Sequence, residues 1–280
     1  MGEKTIRYLE TWKLVKGVEF IQKRYFLLFK NEDSEKRLQE KLRICPFSGS
    51  KEEEIAYTEK LEEELRESII EEIYPELAKW FNPTFITPKP HGKWRKILEA
   101  SLPNKEIQTI HFKMNRTDQV RDLIRKGDWA TSLDQKSAFH HLIVYPPHRP
   151  YLEFEATGKV QQYRAVPFGT QHSPIFFAQA LATVLTKIWR ELNKRILNYV
   201  DDQLLLLYDK ERLRQQTQTI MKILEAFEWT MAQEKCQTEP NHQSDFLGQA
   251  CNMKRRHLKI IDIRKQELHF KLRIFTSLTG

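Results

Sequence analysis

Two adjacent aspartates, Asp201 and Asp202, stand between the runs Leu197-Asn198-Tyr199-Val200 and Gln203-Leu204-Leu205-Leu206-Leu207. Apolar runs on both sides predict two β-strands, so the carboxylates sit at the tip of a hairpin. Neighbouring carboxylates repel. A pair held beside buried strands calls for a cation that neutralises both, which makes Asp201 and Asp202 candidate metal ligands. The same residues also fit a plain polar turn between strands. A third carboxylate weighs on that choice, because Asp134 closes the β-prone run Trp129-Ala130-Thr131-Ser132-Leu133. Aspartates from separate strands are the hard oxygen ligands that a pair of divalent cations needs, and the chemistry of such a pair is in-line phosphoryl transfer.

Two further groups of residues bear on chemistry. His140 and His141 are adjacent and therefore point in different directions on a helix or strand, which favours packing or surface roles over a shared metal. Asn82 to Leu98 predicts two short strands around a Pro/Gly turn that carries Lys89, Lys93 and Arg95. Arg95 shares a strand face with Lys93 and Ile97, and its planar fork suits a triphosphate oxygen. Cations on an edge strand that must stay soluble would look the same.

The elements that must position these residues are legible in part. Ser50-Lys51-Glu52-Glu53 fits a capping box, and Leu61, Leu65, Ile69 and Ile73 recur every fourth residue up to Pro75, predicting one amphipathic helix with a solvated Glu-rich face. Thr117 caps a short helix through Val120, Leu123 and Ile124 that stops at Gly127. Gln135 to His141 predicts a turn or helical start. Tyr151 to Phe154 and Val160 to Arg164 alternate around Thr157-Gly158 as a hairpin. After a loop from Pro167, Ser173 and Pro174 begin a helix whose Phe177, Leu181, Leu185, Ile188 and Leu192 form one stripe. A helix over Glu211 to Phe227 follows, then strand-like Trp229 to Ala232, Lys235-Cys236 and Asp245 to Gly248. Residues 1–50 mix aromatic and basic side chains without a clear period.

Composition sets the wider bounds. A chain of 280 residues with 40% hydrophobic content can bury the core of one large domain or two interleaved ones. The formal charge is +8, but Lys51 to Trp80 holds eleven Glu against four Lys or Arg, a local −7 that leaves +15 on the remainder. A basic body suggests a polyanionic partner. Cys45, Cys236 and Cys251 are odd in number and widely spaced, which argues against a disulfide framework or zinc knuckle and for a reducing compartment. No apolar run approaches the roughly 20 residues that span a bilayer. Met1-Gly2-Glu3-Lys4-Thr5-Ile6 lacks a signal-peptide core, and Ile6 fills the place of the myristoylation Ser/Thr. The expectation is an intracellular protein, cytoplasmic or nuclear, with no membrane partner.

Taken together and in order, several motifs resemble those of the reverse transcriptases, most closely the enzymes of long-terminal-repeat and tyrosine-recombinase retrotransposons. Leu133-Asp134 with Ser137-Ala138-Phe139 resembles the first catalytic motif of that family, Pro167-Phe168-Gly169 with Ser173-Pro174 the second, and Tyr199-Val200-Asp201-Asp202 the third. Lys93-Trp94-Arg95 with Asn104-Lys105 resembles the fingers strands, Glu234-Lys235-Cys236 the lysine-bearing fourth motif, and Phe246-Leu247-Gly248 the start of the primer grip. The resemblance runs from about Glu62 to Gly248.

The resemblance implies an α+β right-hand polymerase fold with an antiparallel palm sheet. Fingers would occupy about 51–117 and 145–165 and palm about 118–144 and 166–256. Residues 1–50 would be an N-terminal extension and 257–280 the truncated start of a thumb, which is partial or absent. The implied activity is RNA-directed DNA polymerisation, adding dNTPs to a DNA primer on an RNA or DNA template, with an RNA/DNA duplex bound. Asp134 and Asp201 would hold two Mg²⁺ ions, or Mn²⁺ as a substitute, with Asp202 in support. Arg95, with Lys93 or Lys89, would bind the triphosphate, and Phe168 and Gly169 would also contact the nucleotide. Phe139, five positions after Asp134, stands where an aromatic would collide with a ribose 2′-hydroxyl and so favour dNTPs. Lys235 would protonate the leaving pyrophosphate or play a structural part. The resemblance implies nothing about oligomeric state.

The chain departs from the family pattern at four places. Gln135 replaces a usual Leu, Glu99 a common Asp, and Gln249 an aromatic. Glu228 stands where a Gly often precedes the motif-four strand, and a left-handed backbone there would strain it. Two other functions are therefore kept in view, a catalytically silent nucleic-acid-binding remnant and an RNA-dependent RNA polymerase of similar palm.

Overall fold

The protein is described by a computed structural model over residues 9–40, 43–74, 76, 79–88, 94–112, 117–192, 195–247 and 249–260. It packs as two compact units, one built from residues 1–112 and 137–184, the other from 113–136 and 185–280. The resemblance places the fingers and palm changeovers at about 117/118, 144/145 and 165/166, and the packing boundaries fall at 112/113, 136/137 and 184/185.

Among the described residues, unit one begins with three short helices, α1 (Leu9–Lys13), α2 (Val18–Lys23) and α3 (Asp33–Gln39), followed by α4 (Lys51–Arg66). The capping box predicted for α4 is present: Glu53 N donates to Ser50 Oγ, and Ser50 N donates to Glu53 Oε2 at 2.8 Å. The helix is shorter than its four-residue repeat predicts. Ser68 turns left-handed at φ 55°, Ile69 N donates back to Glu64 O, and Ile70–Ile73 continues as strand β1. Ile69 and Ile73 thus owe their spacing to two elements. Strands β1, β6 (Lys159–Tyr163) and β5 (Glu153–Ala156) form an antiparallel sheet in the order β1-β6-β5, and β2 (Thr84–Pro88) pairs antiparallel with β3 (Trp94–Leu98). The β5–β6 turn is the predicted Thr157-Gly158, at φ 54° and 77°.

The Glu-rich face of α4 is not wholly solvated. Glu64 is buried and pairs at 2.6 Å with Lys96 of β3, whose Nζ lies 3.9 Å from the Phe154 ring centroid and 5.2 Å from that of Tyr163. Burial pushes the Glu64 carboxyl up and the Lys96 ammonium down from their ordinary values, and each partner opposes the shift of the other. Removing either residue would leave a buried charge without its counterion. Asn104 and Lys105, expected on a fingers strand, lie in helix α5 (Ser101–Glu106). Glu99 lies just before this helix, its Oε1 accepting from Ser101 N at 2.7 Å. A 3₁₀ turn covers Ala138–His141, with both histidines buried, and helix α7, which runs Ser173–Leu192, starts in this unit.

Unit two contains a four-stranded antiparallel sheet in the order β7-β8-β4-β9, made of Arg195–Tyr199, Asp202–Leu207, Trp129–Asp134 and Gln237–Asn241. Helices α6 (Thr117–Leu123) and α8 (Lys210–Ala226) belong to it, α8 being capped by Asp209, whose Oδ1 accepts from Arg212 N at 2.9 Å. Val120, Ile124, Ala130, Leu197, Leu204, Leu206, Phe246, Cys251 and Met253 form one buried cluster of its core. Each large side chain among them contributes about 1.5–3 kcal/mol by leaving water. A second sheet joins β10 (Gln243–Phe246), β11 (Gln249–Asn252) and β12 (His257–Ile260). Residues 257–260, where the resemblance puts the start of a thumb, form the third strand of this sheet, and 261–280 lie outside the described residues. Trp229 to Ala232, predicted as a strand, makes a single bridge between Met231 and Gln135. All three cysteines are free thiols. Among the described residues no helix is long and apolar enough to cross a membrane.

Candidate active site

Asp134 and Asp202 are direct partners across β4 and β8, because the antiparallel register that runs Trp129↔Leu207 ends at Asp134↔Asp202. Tyr199 also pairs with Asp202, so Val200 and Asp201 alone make the β7–β8 turn. A two-residue hairpin turn needs left-handed backbone, normally supplied by Asn or Gly. Here Val200 takes φ 50°, a conformation that costs a β-branched residue about 1–2 kcal/mol. The turn is held from outside. Asp201 O accepts from Gln135 N at 3.1 Å and from Gln203 Nε2 at 3.0 Å, and Gln203 Nε2 also reaches Asn198 Oδ1 at 3.2 Å.

Lys235 enters from the turn after Ala232. Its Nζ lies 3.0 Å from both Oδ1 and Oδ2 of Asp134. The Asp134 backbone is fixed by Ala232 N donating to its carbonyl at 2.9 Å and by the Cys236 thiol, whose sulfur accepts from Asp134 N at 3.3 Å. Burial first, then the charges of Asp201 and Asp134 and a hydrogen bond to Asp134, push the Asp202 carboxyl up to about 7 against the pull of Lys235. For Lys235, burial works against its charge, but the hydrogen bond to Asp134 and the charges of Asp134, Asp201 and Asp202 outweigh it and raise the ammonium.

Asp134, Asp202 and Lys235 open onto a cleft of about 70 Å³ lined also by Ser132, Leu133, Asp245, Phe246 and Leu247. Phe246 and Leu247, singled out as the start of a primer grip, thus share a cleft with the carboxylates, while Gly248 lies outside the described residues. Asp245 is an addition, since its sequence neighbours mark only a strand. Among the described residues no three His, Cys, Asp or Glu side chains converge as a ready-made metal cage. Mg²⁺ is usually held by one or two carboxylates together with substrate phosphates rather than by an all-protein cage. Hard oxygens from facing strands, one of them already under anionic pressure, have that donor chemistry.

The other predicted residues form a separate group within unit one. The Arg95 guanidinium lies 5.3 Å from the centroid of the Phe168 ring, and Phe168 lies 4.7 Å from Phe139, which in turn meets Phe177 at 5.9 Å. Leu98 N donates to Phe168 O at 3.0 Å, holding the loop from Pro167 against β3. Gly169, at φ 123°, has no room for a side chain, as a Cβ would lie 1.9 Å from Leu98 O. Asn104 clamps the same loop, donating to Gly169 O at 3.0 Å and accepting from Gln171 N at 2.9 Å. Lys89 and Lys93 lie outside the described residues. Glu228 takes the left-handed backbone anticipated for a glycine, at φ 62°.

Residues 87–251 match the family model described as reverse transcriptase (RNA-dependent DNA polymerase), more than half of the chain. Over 176 residues the chain is 29% identical to the Gag-Pro-Pol polyprotein of human T-cell leukemia virus 2, covering 60% of this chain and 12% of that polyprotein. It is 25% identical over 197 residues to the retrovirus-related Pol polyprotein from transposon 412 of Drosophila melanogaster, covering 68% of this chain and 15% of that protein. The chain thus spans well under a quarter of these relatives. Among solved structures, the prototype foamy virus protease-reverse transcriptase superposes with a TM-score of 0.64 at 20% identity, over 78% of this chain and 27% of that one. A foamy viral protease-reverse transcriptase in complex with double-stranded DNA does so with a TM-score of 0.69 at 16% identity, over 95% and 48%. The likeness extends to the right-hand polymerase fold.

Proposed function

Because the chain belongs to the reverse transcriptase family, we propose that it adds deoxynucleotides to a primer 3′ end on an RNA or DNA template by two-metal phosphoryl transfer. The observation that carries this reading is the pairing of Asp134 with Asp202 across β4 and β8, beside Asp201 and Lys235. Asp134, Asp201 and Asp202 would hold Mg²⁺, or Mn²⁺ in its place, which would supply Lewis-acid polarisation of the primer hydroxyl and charge neutralisation for the pyrophosphate.

The chain's own side chains do the rest. Lys235, whose Nζ lies 3.0 Å from both carboxylate oxygens of Asp134, offers its proton to the leaving group. Arg95, with Lys89 and Lys93, binds the triphosphate through charge-assisted hydrogen bonds. Phe139, backed by Phe168 and Phe177, excludes a ribose 2′-hydroxyl, while Phe168 and Gly169 contact the nucleotide. Phe246, Leu247 and Gly248 steady the primer. The partners are an RNA template, a DNA primer and their duplex, in keeping with the excess of basic residues and with the foamy viral enzyme, one structure of which is a complex with an RNA/DNA hybrid. The reaction belongs in the cytoplasm or nucleus, where three free thiols stay reduced.

A second reading, a silent nucleic-acid-binding remnant, draws on Gln135, which is buried with no partner for its amide atoms among the described residues, and on the left-handed Glu228. Incorporation of labelled dTTP on oligo(dT)-primed poly(rA), with Mg²⁺ or Mn²⁺ and after chelation by EDTA, separates the two. Cation-dependent incorporation is expected. Primer-template binding with no incorporation under any cation would favour the remnant.

A further inference from the structure

The family match begins at residue 87, yet a residue far upstream reaches the loop to which nucleotide binding is assigned above. Tyr25 follows α2 in a segment without sequence periodicity, and that segment is tied on two sides. Tyr25 N donates to Ile143 O at 2.8 Å, Tyr145 N donates to Tyr25 O at 2.7 Å, and Leu27 N donates to His148 Nδ1 at 2.8 Å. Further along, Gln108 N donates to Leu28 O at 2.7 Å and Lys30 N to Glu106 O at 2.9 Å. The Tyr25 ring stands edge-on to Phe176 with centroids 5.0 Å apart. Its position is therefore fixed without help from its hydroxyl.

That hydroxyl lies 2.6 Å from Thr170 Oγ1, Thr170 Oγ1 contacts Ser173 Oγ, and Ser173 Oγ donates to Pro167 O at 2.8 Å. Each hydroxyl has one proton to give, and a carbonyl only accepts. Ser173 spends its proton on Pro167, so Thr170 must donate to Ser173 and Tyr25 to Thr170. The relay has one direction. Burial raises the Tyr25 phenol above its ordinary value, against the hydrogen bonds with Thr170 and Ser173, which keeps it a donor. All three hydroxyl residues are buried. The relay is anchored at Pro167, Thr170 and Ser173, bracketing Phe168 and Gly169.

We propose that Tyr25 is a positioning residue for the nucleotide-binding loop, setting the backbone of Phe168 and Gly169 through Thr170 and Ser173. Asn104 grips the loop from its exposed side and Tyr25 from its buried side. The inference rests on the assignment of Phe168 and Gly169 to the nucleotide.

Tyr25→Phe and Thr170→Val, singly and together, test it beside Arg95→Ala, with KM for dTTP, thermal midpoint and amide hydrogen exchange measured in the full chain. Losing one buried hydrogen bond should raise KM roughly three- to tenfold, with kcat and the thermal midpoint changed far less. The double variant should be no worse than either single one, and faster exchange should be confined to Phe168 to Gln171. In a chain that does not turn over, that confined exchange supports the inference and parental exchange in the loop overturns it. Parental KM in Tyr25→Phe beside a raised KM in Arg95→Ala overturns the inference alone. Parental KM in both overturns the nucleotide assignment and the inference with it.

Discussion

Lys235 Nζ lies 3.0 Å from both carboxylate oxygens of Asp134, so an ammonium sits on the oxygens assigned to a divalent cation. Two positive groups then compete for one carboxylate. Lys235→Gln should lower the Mg²⁺ concentration that half-saturates incorporation, while the rate at saturating Mg²⁺ falls by roughly 10²-fold as a proton donor is lost. A Mg²⁺ titration of the incorporation rate checks both effects. A higher half-saturating concentration would show that Lys235 helps to build the site instead of competing for it.

The contact of Phe139 with Phe168, at 4.7 Å, gives the proposed ribose gate a rigid backing. Phe139→Ala should lower the ratio of kcat/KM for dTTP over UTP by roughly 10- to 200-fold, the range that one steric contact provides. A ratio equal to that of the parent chain would remove Phe139 from that role.

Gln135 is 1% exposed, and neither atom of its amide has a partner among the described residues. An unsatisfied buried amide costs about 1–3 kcal/mol. Gln135→Leu should therefore raise the thermal midpoint, by about 2–4 °C for each kcal/mol recovered. A lower midpoint in differential scanning calorimetry would show that the amide finds partners in solution.

Glu153 is fully buried, and burial pushes its carboxyl up to about 8, against one hydrogen bond from Gln162. The folded state then holds a proton that the unfolded state has released, from the ordinary carboxylate range up to about pH 8. Stability falls as pH rises through that window. Glu153→Gln should flatten this part of the profile in urea unfolding measured between pH 5 and pH 8. A parental slope in the variant would place the proton uptake elsewhere.

Where the chemistry and the local signals coincide, the sequence is a sufficient guide. The acidic tip is legible because apolar strands flank it, and the box at Ser50 because its two hydrogen bonds lie three residues apart. The stripe through Phe177, Leu181, Leu185 and Ile188 is legible because every member is fully buried along one helix. What stays hidden depends on partners distant in the chain. The Glu64–Lys96 pair joins residues from α4 and β3, and neither neighbourhood predicts the other. Strand β9 contains Pro240 and few apolar residues, a composition tolerated because it is an edge strand. Tyr25 lacks periodicity because isolated bridges, at Val144 and then at Phe29 with Ile107, hold its segment in place of a sheet. Asp245 joins the cleft through the placement of β10, which its own residues do not encode.

The paired carboxylates are expected to support metal-dependent nucleotide addition. The most direct measurement is labelled dTTP incorporation on oligo(dT)-primed poly(rA) in Mg²⁺ by the parent chain and by Asp201→Asn, with primer-template binding and thermal midpoint measured for both. Incorporation by the parent, lost in Asp201→Asn while binding and midpoint stay near parental values, is the predicted result. Incorporation by Asp201→Asn at the parental rate would contradict it.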